Sequence, residues 1–460
     1  MNELAIRREK QAHGGIRLFK IRLFNENDKK MTALMLPLIA NNILQQLYNT
    51  IDSVVISNFT NEESFAAVGI VSSVMNLFLF FLVGACTGIS VLFSQNYGKG
   101  DLKRLRNVFY QSFVSGLVLS ALLAVGGIAG LGLICTMIRV PSSLTALVKT
   151  YLVVVLLGLP ASYLYNLCSA ILRSAGHTAI VLVVLLICVI TNTGLDIFMV
   201  YGLKAGIFGA ALATTMSQVM SAVLCLIAIK VRYPQLMFRR DDCHLDKGTI
   251  GTIVKFGNVT AVHQSSLYIG KLMVQGIVNT AGQAAIAGYT AATRIEGFAN
   301  SFGDSGCAAT AVFTGQAAGA GDRKQEEAYY RSSQKILSIM GIVSSILLFV
   351  TAPYATALFA GAGAEALASS VSYLRLIALF YLFCYTGNTF AGYFDGIGKV
   401  QIPFIGAASH ITMRIILSAL LIKTMGLPAV ALASGAGWVY VNLFWHGLNR
   451  HYNRKAAQAI

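Results

Sequence analysis

Residues 95–101 read Gln-Asn-Tyr-Gly-Lys-Gly-Asp, and residues 316–322 read Gln-Ala-Ala-Gly-Ala-Gly-Asp. Each stretch follows a long apolar segment and precedes a basic one, and the two are 221 residues apart. The likeness extends further, because Ala-Ala-Leu-Ala at 210–213 corresponds to Ala-Val-Ala-Leu-Ala at 429–433, and Gly176 and Gly398 are expected to close matching turns. The chain therefore consists of two related halves.

The composition excludes an ordinary soluble protein. Hydrophobic residues make up 56% of the 460 residues, charged residues only 12%, and the mean hydropathy is +0.66. A bilayer core of roughly 30 Å requires a helix of about 20 mostly apolar residues, and the sequence predicts twelve such segments. They are continuously apolar rather than alternating, which favours helices over a membrane barrel.

The basic residues indicate the orientation. If the N-terminus is cytoplasmic, the cytoplasmic segments hold 26 Lys and Arg, whereas the opposite side holds four, namely Arg139, Lys149, Lys204 and Lys423. This asymmetry predicts a multi-pass protein of the cell (plasma or inner) membrane with both termini in the cytoplasm. It also explains the net charge of +16 without a nucleic-acid partner, since the charges are spread over every cytoplasmic loop.

The longest polar interruption lies between the two repeats, and it divides the chain. Each half has six predicted spans, so both halves have the same orientation and are expected to be related by a pseudo-twofold axis along the membrane normal. The predicted fold is an all-α polytopic membrane protein with a basic N-terminal segment (1–30), an N-terminal six-helix lobe (31–229), a linker (230–250), a C-terminal six-helix lobe (251–448) and a tail (449–460).

Polar residues in the first half form one candidate site. Gln45, Tyr48, Asn49 and Asp52 follow one helical face in the first span. Asn192 and Asp196 repeat this pattern in the fifth span, and Thr214 and Thr215 follow in the sixth; the carboxylate, amide and hydroxyl oxygens are hard ligands of the kind that hold a small cation. The same carboxylates can carry protons instead, or the polar groups can serve packing alone, so the sequence leaves Na⁺, H⁺ and a structural role open.

The second half has no acidic copy of this site. In an alignment of the halves, Asp52 falls opposite Leu272, beside Lys271, and Asn192 falls opposite Arg414. Charges at bilayer depth mark pathways or pairs. We therefore take Lys271, Glu296, Asp304 and Arg414 as candidates for substrate binding or gating, with a static ion pair between Lys271 and Asp304 as the alternative.

Two other classes of function fit less well. An intramembrane enzyme needs a catalytic cluster, but the histidines are scattered and no metal-ligand spacing or nucleophile motif is present, so we expect neither enzyme activity nor a cofactor. A channel does not explain the duplicated halves and the acidic site confined to one of them.

Pro37 lies fifteen residues before Asp52 and should kink the first span, so that ion binding could be linked to helix bending.

The chain resembles the multidrug and toxic compound extrusion (MATE) family over nearly its whole length. The resemblance is carried by Leu36-Pro37, by Gln45-Gln-Leu-Tyr-Asn-Thr-Ile-Asp52, by Gly98-Lys-Gly-Asp101, by Asn192-Thr-Gly-Leu-Asp196, by Gly209-Ala-Ala-Leu-Ala-Thr214 and by Gln316-Ala-Ala-Gly319.

This resemblance implies a twelve-helix, two-lobed antiporter that exports amphipathic, often cationic compounds in exchange for Na⁺ or H⁺ by alternating access, here expected as a monomer. It implies an ion site at Asp52, Asn192, Asp196 and Thr214, with Pro37 as the bending proline. Lys271 and Leu272 depart from members that carry an acid in the seventh span, and this favours less cationic or even anionic substrates. The alternative is a flippase for lipid-linked oligosaccharides or related lipids with the same architecture, for which Lys271, Arg375 and Arg414 are the relevant cations.

Overall fold

The computed structural model describes residues 25–59, 62–359 and 363–457, without the side chains of residues 52–59, 359 and 449–457. All regular structure in these residues is helical. The helices of the first half are α1 (Glu26–Phe59), α2 (Glu62–Gly98), α3 (Leu102–Ala129), α4 (Leu131–Met137), α5 (Thr145–Leu157), α6 (Leu159–Ser174), α7 (Thr178–Asp196) and α8 (Gly206–Arg232). A π-helical turn, Ile197–Gly202, connects α7 to α8.

The second half repeats this order after a linker that contains a short 3-10 turn, Arg240–Asp242. Its helices are α9 (Lys247–Asn279), α10 (Gln283–Ala320), α11 (Arg323–Phe359), α12 (Ala364–Ala378), α13 (Tyr381–Gly396), α14 (Gln401–Met425) and α15 (Leu427–Ala457). Most of the predicted basic N-terminal segment, residues 1–24, lies outside the described residues, and the backbone of α15 continues through most of the predicted tail.

The repeated sequence forms the same turn twice. Gly100 and Gly321 adopt left-handed backbone angles, with φ of 75° and 70°, that end α2 and α10. The aspartate that follows each glycine then starts the next helix: Asp101 accepts a hydrogen bond from the Arg104 amide, and Asp322 accepts one from the Gln325 amide. The predicted turns at Gly176 and Gly398 are confirmed by φ angles of 86° and 81°.

The described residues contain seven helices that are long and apolar enough to cross a membrane: α2, α3, α7 with its π turn, α8, α11, α14 and α15. Two helix pairs, α5 with α6 and α12 with α13, pass the same test as spans bent by 41° and 54°. The first bend coincides with Pro160 at the start of α6, where the missing N–H interrupts the helix. Helices α1, α9 and α10 are similarly long, at 34, 33 and 38 residues, but more polar. The chain is a multi-pass membrane protein.

Helices at equivalent positions of the two halves make equivalent contacts. Helix α1 contacts α7, as α9 contacts α14; α2 contacts α6, as α10 contacts α13; and α7 contacts α8, as α14 contacts α15. Between the halves, α2 contacts α9 and α10, and α1 contacts α10 and α11. The linker lies against the start of α3, and we call this end of the molecule the linker side.

The hydrophobic cores of the two halves exchange the starts of their first helices. Met31, Met35 and Leu38 at the start of α1 are buried in the core of the second half, which also contains Leu337 of α11. Ile253 at the start of α9 is buried in the core of the first half, and Phe256 packs against that core. On the linker side, each half is therefore completed by the opening helix of the other.

Candidate ion and substrate sites

The polar pair predicted in α7 is buried within the first half. Asn192 and Asp196 lie one turn apart on the stripe of α7 that also buries Val181, Val184, Leu185 and Cys188, and each has only 1% of its surface exposed. Neither the amide nitrogen nor the amide oxygen of Asn192 has a hydrogen-bond partner in the part of the chain that the structure describes. A buried amide without partners costs about 1–3 kcal/mol, so this position is unfavourable for stability alone.

Helix α1 contacts both α7 and the π turn that follows Asp196. It therefore carries the backbone of Asp52 into the first half, but the side chain of Asp52 lies outside the described residues. Gln45 and Tyr48 are half-buried on this helix and Asn49 is exposed, while Pro37 is half-buried inside it. Helix α1, which carries these candidate residues, thus reaches α7.

The two threonines of α8 have different roles. The Thr214 hydroxyl is half-buried and donates to the Ala210 carbonyl oxygen of its own helix at 3.0 Å, which leaves its lone pairs able to accept or coordinate. The Thr215 hydroxyl donates across to the Val154 carbonyl oxygen of α5 at 3.0 Å, which is a packing contact. Among the described residues there is no cluster of three His, Cys, Asp or Glu side chains that could hold a metal.

In the second half, three polar residues follow one face of α10 at intervals of one turn. Glu296 accepts a hydrogen bond from the Tyr373 hydroxyl at 2.9 Å, and Asn300 accepts one from the Tyr381 hydroxyl at 3.3 Å. Asp304, the third, is exposed. The tyrosines of α12 and α13 thus fix the first two members of this stripe and leave the third accessible.

Two cations lie near this stripe. Arg414 of α14 donates from Nη2 to the Tyr289 hydroxyl at 3.1 Å, and its buried Nε has no acceptor among the described residues. Lys271 of α9 is exposed. Lys271 and Asp304 form no ion pair within 4 Å among the described side chains, so the static pair considered as an alternative is not formed.

A contact that the sequence did not predict as functional joins α1 to the second half. The Asn42 side chain donates to the Ser305 hydroxyl of α10 at 3.0 Å, and the Gln46 amide, one turn later, lies against Gly297. The sequence feature that could have indicated this contact is the amide-rich run from Asn41 to Gln46, which is unusual in a membrane span. These amides connect the helix of Asp52 to the helix of Asp304.

The repeated sequence closes the linker side. The side-chain amide of Gln95 donates to the Gly396 carbonyl oxygen at 2.9 Å, and that of Gln316 donates to the Ser174 carbonyl oxygen at 2.7 Å. Gly98 and Gly319 let the helices meet, because a Cβ added at either would overlap the backbone of Gln316 or Gln95, respectively. We call these four residues the glutamine–glycine crossing.

The linker is fixed to α3 beside this crossing. Arg106 binds the carboxylate of Asp242 through Nε at 2.6 Å and Nη2 at 3.4 Å, and the Asn107 amide donates to the Asp242 carbonyl oxygen at 2.9 Å. Burial alone would raise the pKa of Asp242, but the hydrogen bonds from Arg106 and from the Arg239 amide hold that pKa below its ordinary value. The linker is therefore a docked element.

Charged and amide side chains buried among helices that can span a membrane mark ion or substrate pathways, which is the kind of site that a membrane transporter needs. The MatE family model matches residues 37–198 and again residues 260–420, one match to each half. The chain therefore belongs to the MatE family, a family of transporters and not of enzymes.

Individual relatives agree with this assignment. The chain is 24% identical over 418 residues to the probable multidrug resistance protein YpnP of Bacillus subtilis, covering 90% of this chain and 92% of the relative. A solved outward-facing multidrug resistance MATE transporter of the MOP superfamily superposes with a TM-score of 0.88 at 22% identity, covering 94% and 97% of the two chains. A MOP superfamily transporter from Pyrococcus furiosus, described as having a binding pocket of reverse polarity, gives 0.86 at 21%, covering 93% and 96%.

Proposed function

We propose that this protein is a secondary active multidrug exporter that exchanges amphipathic, often cationic organic compounds for Na⁺ or H⁺ by alternating access. The observation that carries the proposal is the buried pair Asn192 and Asp196, each 1% exposed, on the helix that α1 contacts. Such groups at bilayer depth are expected where an ion or proton is bound. The name of the Bacillus subtilis relative supports multidrug export.

The proposed architecture has twelve membrane crossings in two six-helix lobes, residues 31–229 and 251–448, related by a pseudo-twofold axis along the membrane normal. The equivalent helix contacts of the two halves support the axis. Adding α1, α9 and α10, which are long enough to cross, to the apolar candidates gives six crossings in each half. We place the linker side, with both termini, in the cytoplasm of a cell that carries the protein as a monomer in its plasma or inner membrane.

The proposed ion site combines Asp52 with Asn192, Asp196 and Thr214, and Na⁺ or H⁺ is its ligand. Its supporting face is formed by Gln45, Tyr48 and Asn49. Helix α1 carries Asp52 and also contacts α10 and α11 of the second half. A change in the direction of α1 at Pro37 would therefore alter its packing against both lobes. Ion binding would thereby alter the glutamine–glycine crossing and with it access from the cytoplasm.

Drug efflux from proteoliposomes under separately imposed Na⁺ and H⁺ gradients tests this proposal. Asp52→Asn and Asp196→Asn should each abolish gradient-driven efflux, and the gradient that drives the wild type identifies the ion. Glu365→Gln, an exposed acid at the start of α12, is the matched control and should transport normally. Undiminished efflux by both site variants would exclude the coupling site.

A lipid flippase is the second candidate, favoured by the cations Lys271 and Arg414 in the second lobe. It predicts no drug efflux by the wild type under either gradient, together with movement of a lipid-linked oligosaccharide between leaflets of the same vesicles.

Orientation has its own test, because Cys243 in the linker is an exposed thiol. A membrane-impermeant maleimide should label Cys243 in inside-out vesicles and not in intact cells. Labelling in intact cells would place the linker outside and reverse the proposed topology.

A further inference from the structure

We propose that a membrane-facing groove between α11 and α12 binds an anionic phospholipid, whose phosphate is held by Arg375 and whose acyl chain lies against Phe349 and α12. The groove has a volume of about 630 Å³, which is within the range of roughly 300–1,000 Å³ that is typical of ligand sites. The inference goes beyond the proposed function and does not depend on it, because it requires only that these helices cross a membrane.

The groove lies on the side of the second half that faces lipid. Ile342, Ile346, Phe349 and Val350 follow one face of α11, and between 42% and 59% of the surface of each is exposed. Helix α12 makes its main contacts with α10, α11 and α15, which all belong to the second half. An extended apolar surface of this kind on a spanning helix is expected to contact lipid chains.

Small residues of α12 make room for an acyl chain. Ala364, Ala368 and Ser372 are spaced four apart, and all three are exposed and line the groove. Phe349 of α11 forms part of the facing wall, and Leu379 lies where α12 bends by 54° into α13. Because the side chains on this stripe of α12 are short, the two helices leave a channel with mostly apolar walls between them.

Arg375 gives the groove a positive charge that the protein does not neutralise. Its guanidinium carbon lies 5.4 Å from the centre of the Phe349 ring, and the side chain forms no ion pair within 4 Å in the part of the chain that the structure describes. A cation–π contact attracts the charge but does not replace an anion, so N–H donors of the exposed guanidinium remain available. The groove therefore combines an apolar channel with a site for one anionic group.

The position of Arg375 fits a phosphate of the leaflet opposite the linker side. Helix α11 begins at Arg323, just after the glutamine–glycine crossing, so its far end and the start of α12 lie on the opposite side. Arg375 is eleven residues beyond Ala364, which is roughly 16 Å along a helix. Its long side chain leans towards the start of α12 and so reaches towards the headgroups, and Ser372 adds a hydroxyl donor one turn nearer to them.

The chemistry of the occupant follows from this combination. An arginine binds a phosphate through charge-assisted and often bidentate hydrogen bonds. A soluble anion would satisfy Arg375 but leave the apolar walls uncovered, whereas a lipid chain covers them. A zwitterionic lipid carries a cation beside its phosphate, which Arg375 repels, so the groove should select a phospholipid with a net negative charge.

Fluorescence quenching in reconstituted bilayers tests the inference at the groove itself. Phe349→Trp, combined with Trp438→Phe and Trp445→Phe, gives a full-length protein with a single tryptophan, which lines the groove. A brominated phosphatidylglycerol should quench it with a binding constant roughly tenfold higher than that of brominated phosphatidylcholine with the same chains, as expected for one additional charge-assisted hydrogen bond. Equal quenching by the two lipids would overturn the proposal.

Variants then separate the headgroup from the chain. Arg375→Gln should abolish the preference for phosphatidylglycerol, whereas Lys149→Gln, which removes an exposed cation from α5, should retain it. Ala368→Phe fills the groove and should weaken quenching by both lipids, whereas Ala146→Phe, at an exposed alanine of α5, should not. An undiminished preference in Arg375→Gln would contradict the site.

Two further measurements complete the test. Native mass spectrometry of the protein with its own Phe349 should show bound phosphatidylglycerol that is lost from Arg375→Gln, so the test does not depend on the added tryptophan. Inorganic phosphate should not relieve the quenching, and relief would identify a site for free anions and overturn the lipid assignment. Both results are independent of gradient-driven efflux, so failure of the proposed function and failure of this inference are distinguishable.

Discussion

Gln95 and Gln316 occupy equivalent positions in the two halves, and each donates one side-chain hydrogen bond to the backbone of the opposite half. The acceptors, Gly396 and Ser174, are equivalent as well, so the contact is reciprocal, as in a symmetric dimer interface. The linker side is therefore held closed by two like bonds.

Removing these bonds should favour separation of the two halves on the linker side. Each bond contributes about 1 kcal/mol, so Gln95→Ala and Gln316→Ala should each raise the ratio of open to closed molecules by about fivefold, and the double variant by about 25-fold if the effects add. Spin labels at Lys103 and Lys324, which are exposed and equivalent, report the separation by distance measurement in a Cys243→Ser background. Gln283→Ala, on the exposed start of α10, should leave the distances unchanged; unchanged distances in the double variant would contradict the assignment.

Alanine at Gly98 or Gly319 should open the linker side more than loss of the glutamines does. The added Cβ would overlap backbone atoms of the facing helix, which cannot rotate away, and overpacking of this kind costs about 1–3 kcal/mol. The same distance measurement and gradient-driven efflux check this. Gly276→Ala is the control, because no heavy atom lies within 4 Å of its added Cβ. A closed linker side in Gly98→Ala would show that the crossing does not control closure.

Replacement of Asn192 by leucine should separate stability from ion response. The amide atoms have no hydrogen-bond partner among the described residues, so Asn192→Leu should raise the free energy of unfolding by about 1 kcal/mol, while any change of melting temperature with Na⁺ or pH is lost. Asn166→Leu removes an amide that donates to the Ser162 carbonyl oxygen at 2.8 Å, and it should retain the ion response. A destabilised Asn192→Leu protein that still responds to the ion would indicate a packing role for Asn192.

Docking of the linker should weaken in acid. The folded pKa of Asp242 is below its ordinary value of 3.8, so the stability that its charge contributes is complete above about pH 4 and is lost as the pH falls through the folded pKa. Asp242→Asn should remove this pH dependence and cost about 3 kcal/mol by leaving Arg106 without its partner. The stability of linker docking is measured by amide hydrogen exchange in the linker between pH 2.5 and pH 6, corrected for the intrinsic exchange rate. Asp241→Asn, an exposed neighbour, should retain the wild-type profile; an identical profile for Asp242→Asn would refute the account.

The local part of the fold was predictable from sequence, and the contacts between halves were not. Gly100, Asp101, Gly321 and Asp322 set the turns through backbone angles and capping bonds that depend only on near neighbours. The exchange of α1 and α9 between the cores depends on which helix faces meet, and hydrophobic periodicity does not specify this. Gln95 and Gln316 were visible as a repeat, but their acceptors are distant in sequence.

The candidate sites were predictable to a similar degree. Spacing placed Asn192 and Asp196 on one face, and the structure buries both. That Asn192 and Asp196 form one ion site with Asp52 stays a prediction, since the side chain of Asp52 lies outside the described residues. Their charges marked Lys271 and Asp304 as candidates, but the sequence does not give the distance between side chains on two helices. Only the structure shows that these two side chains form no ion pair within 4 Å.

The exchange of opening helices has a consequence for how the protein is made. When the first half has left the ribosome, Met31, Met35 and Leu38 of α1 still lack the α10 and α11 surfaces that bury them, and the first-half core still lacks Ile253 of α9. The first half therefore cannot reach its final packing before the second half is synthesised. A gene split in the linker should therefore yield active protein only when both fragments are produced in the same cell, and the fragment made alone should be a substrate for membrane quality-control proteases.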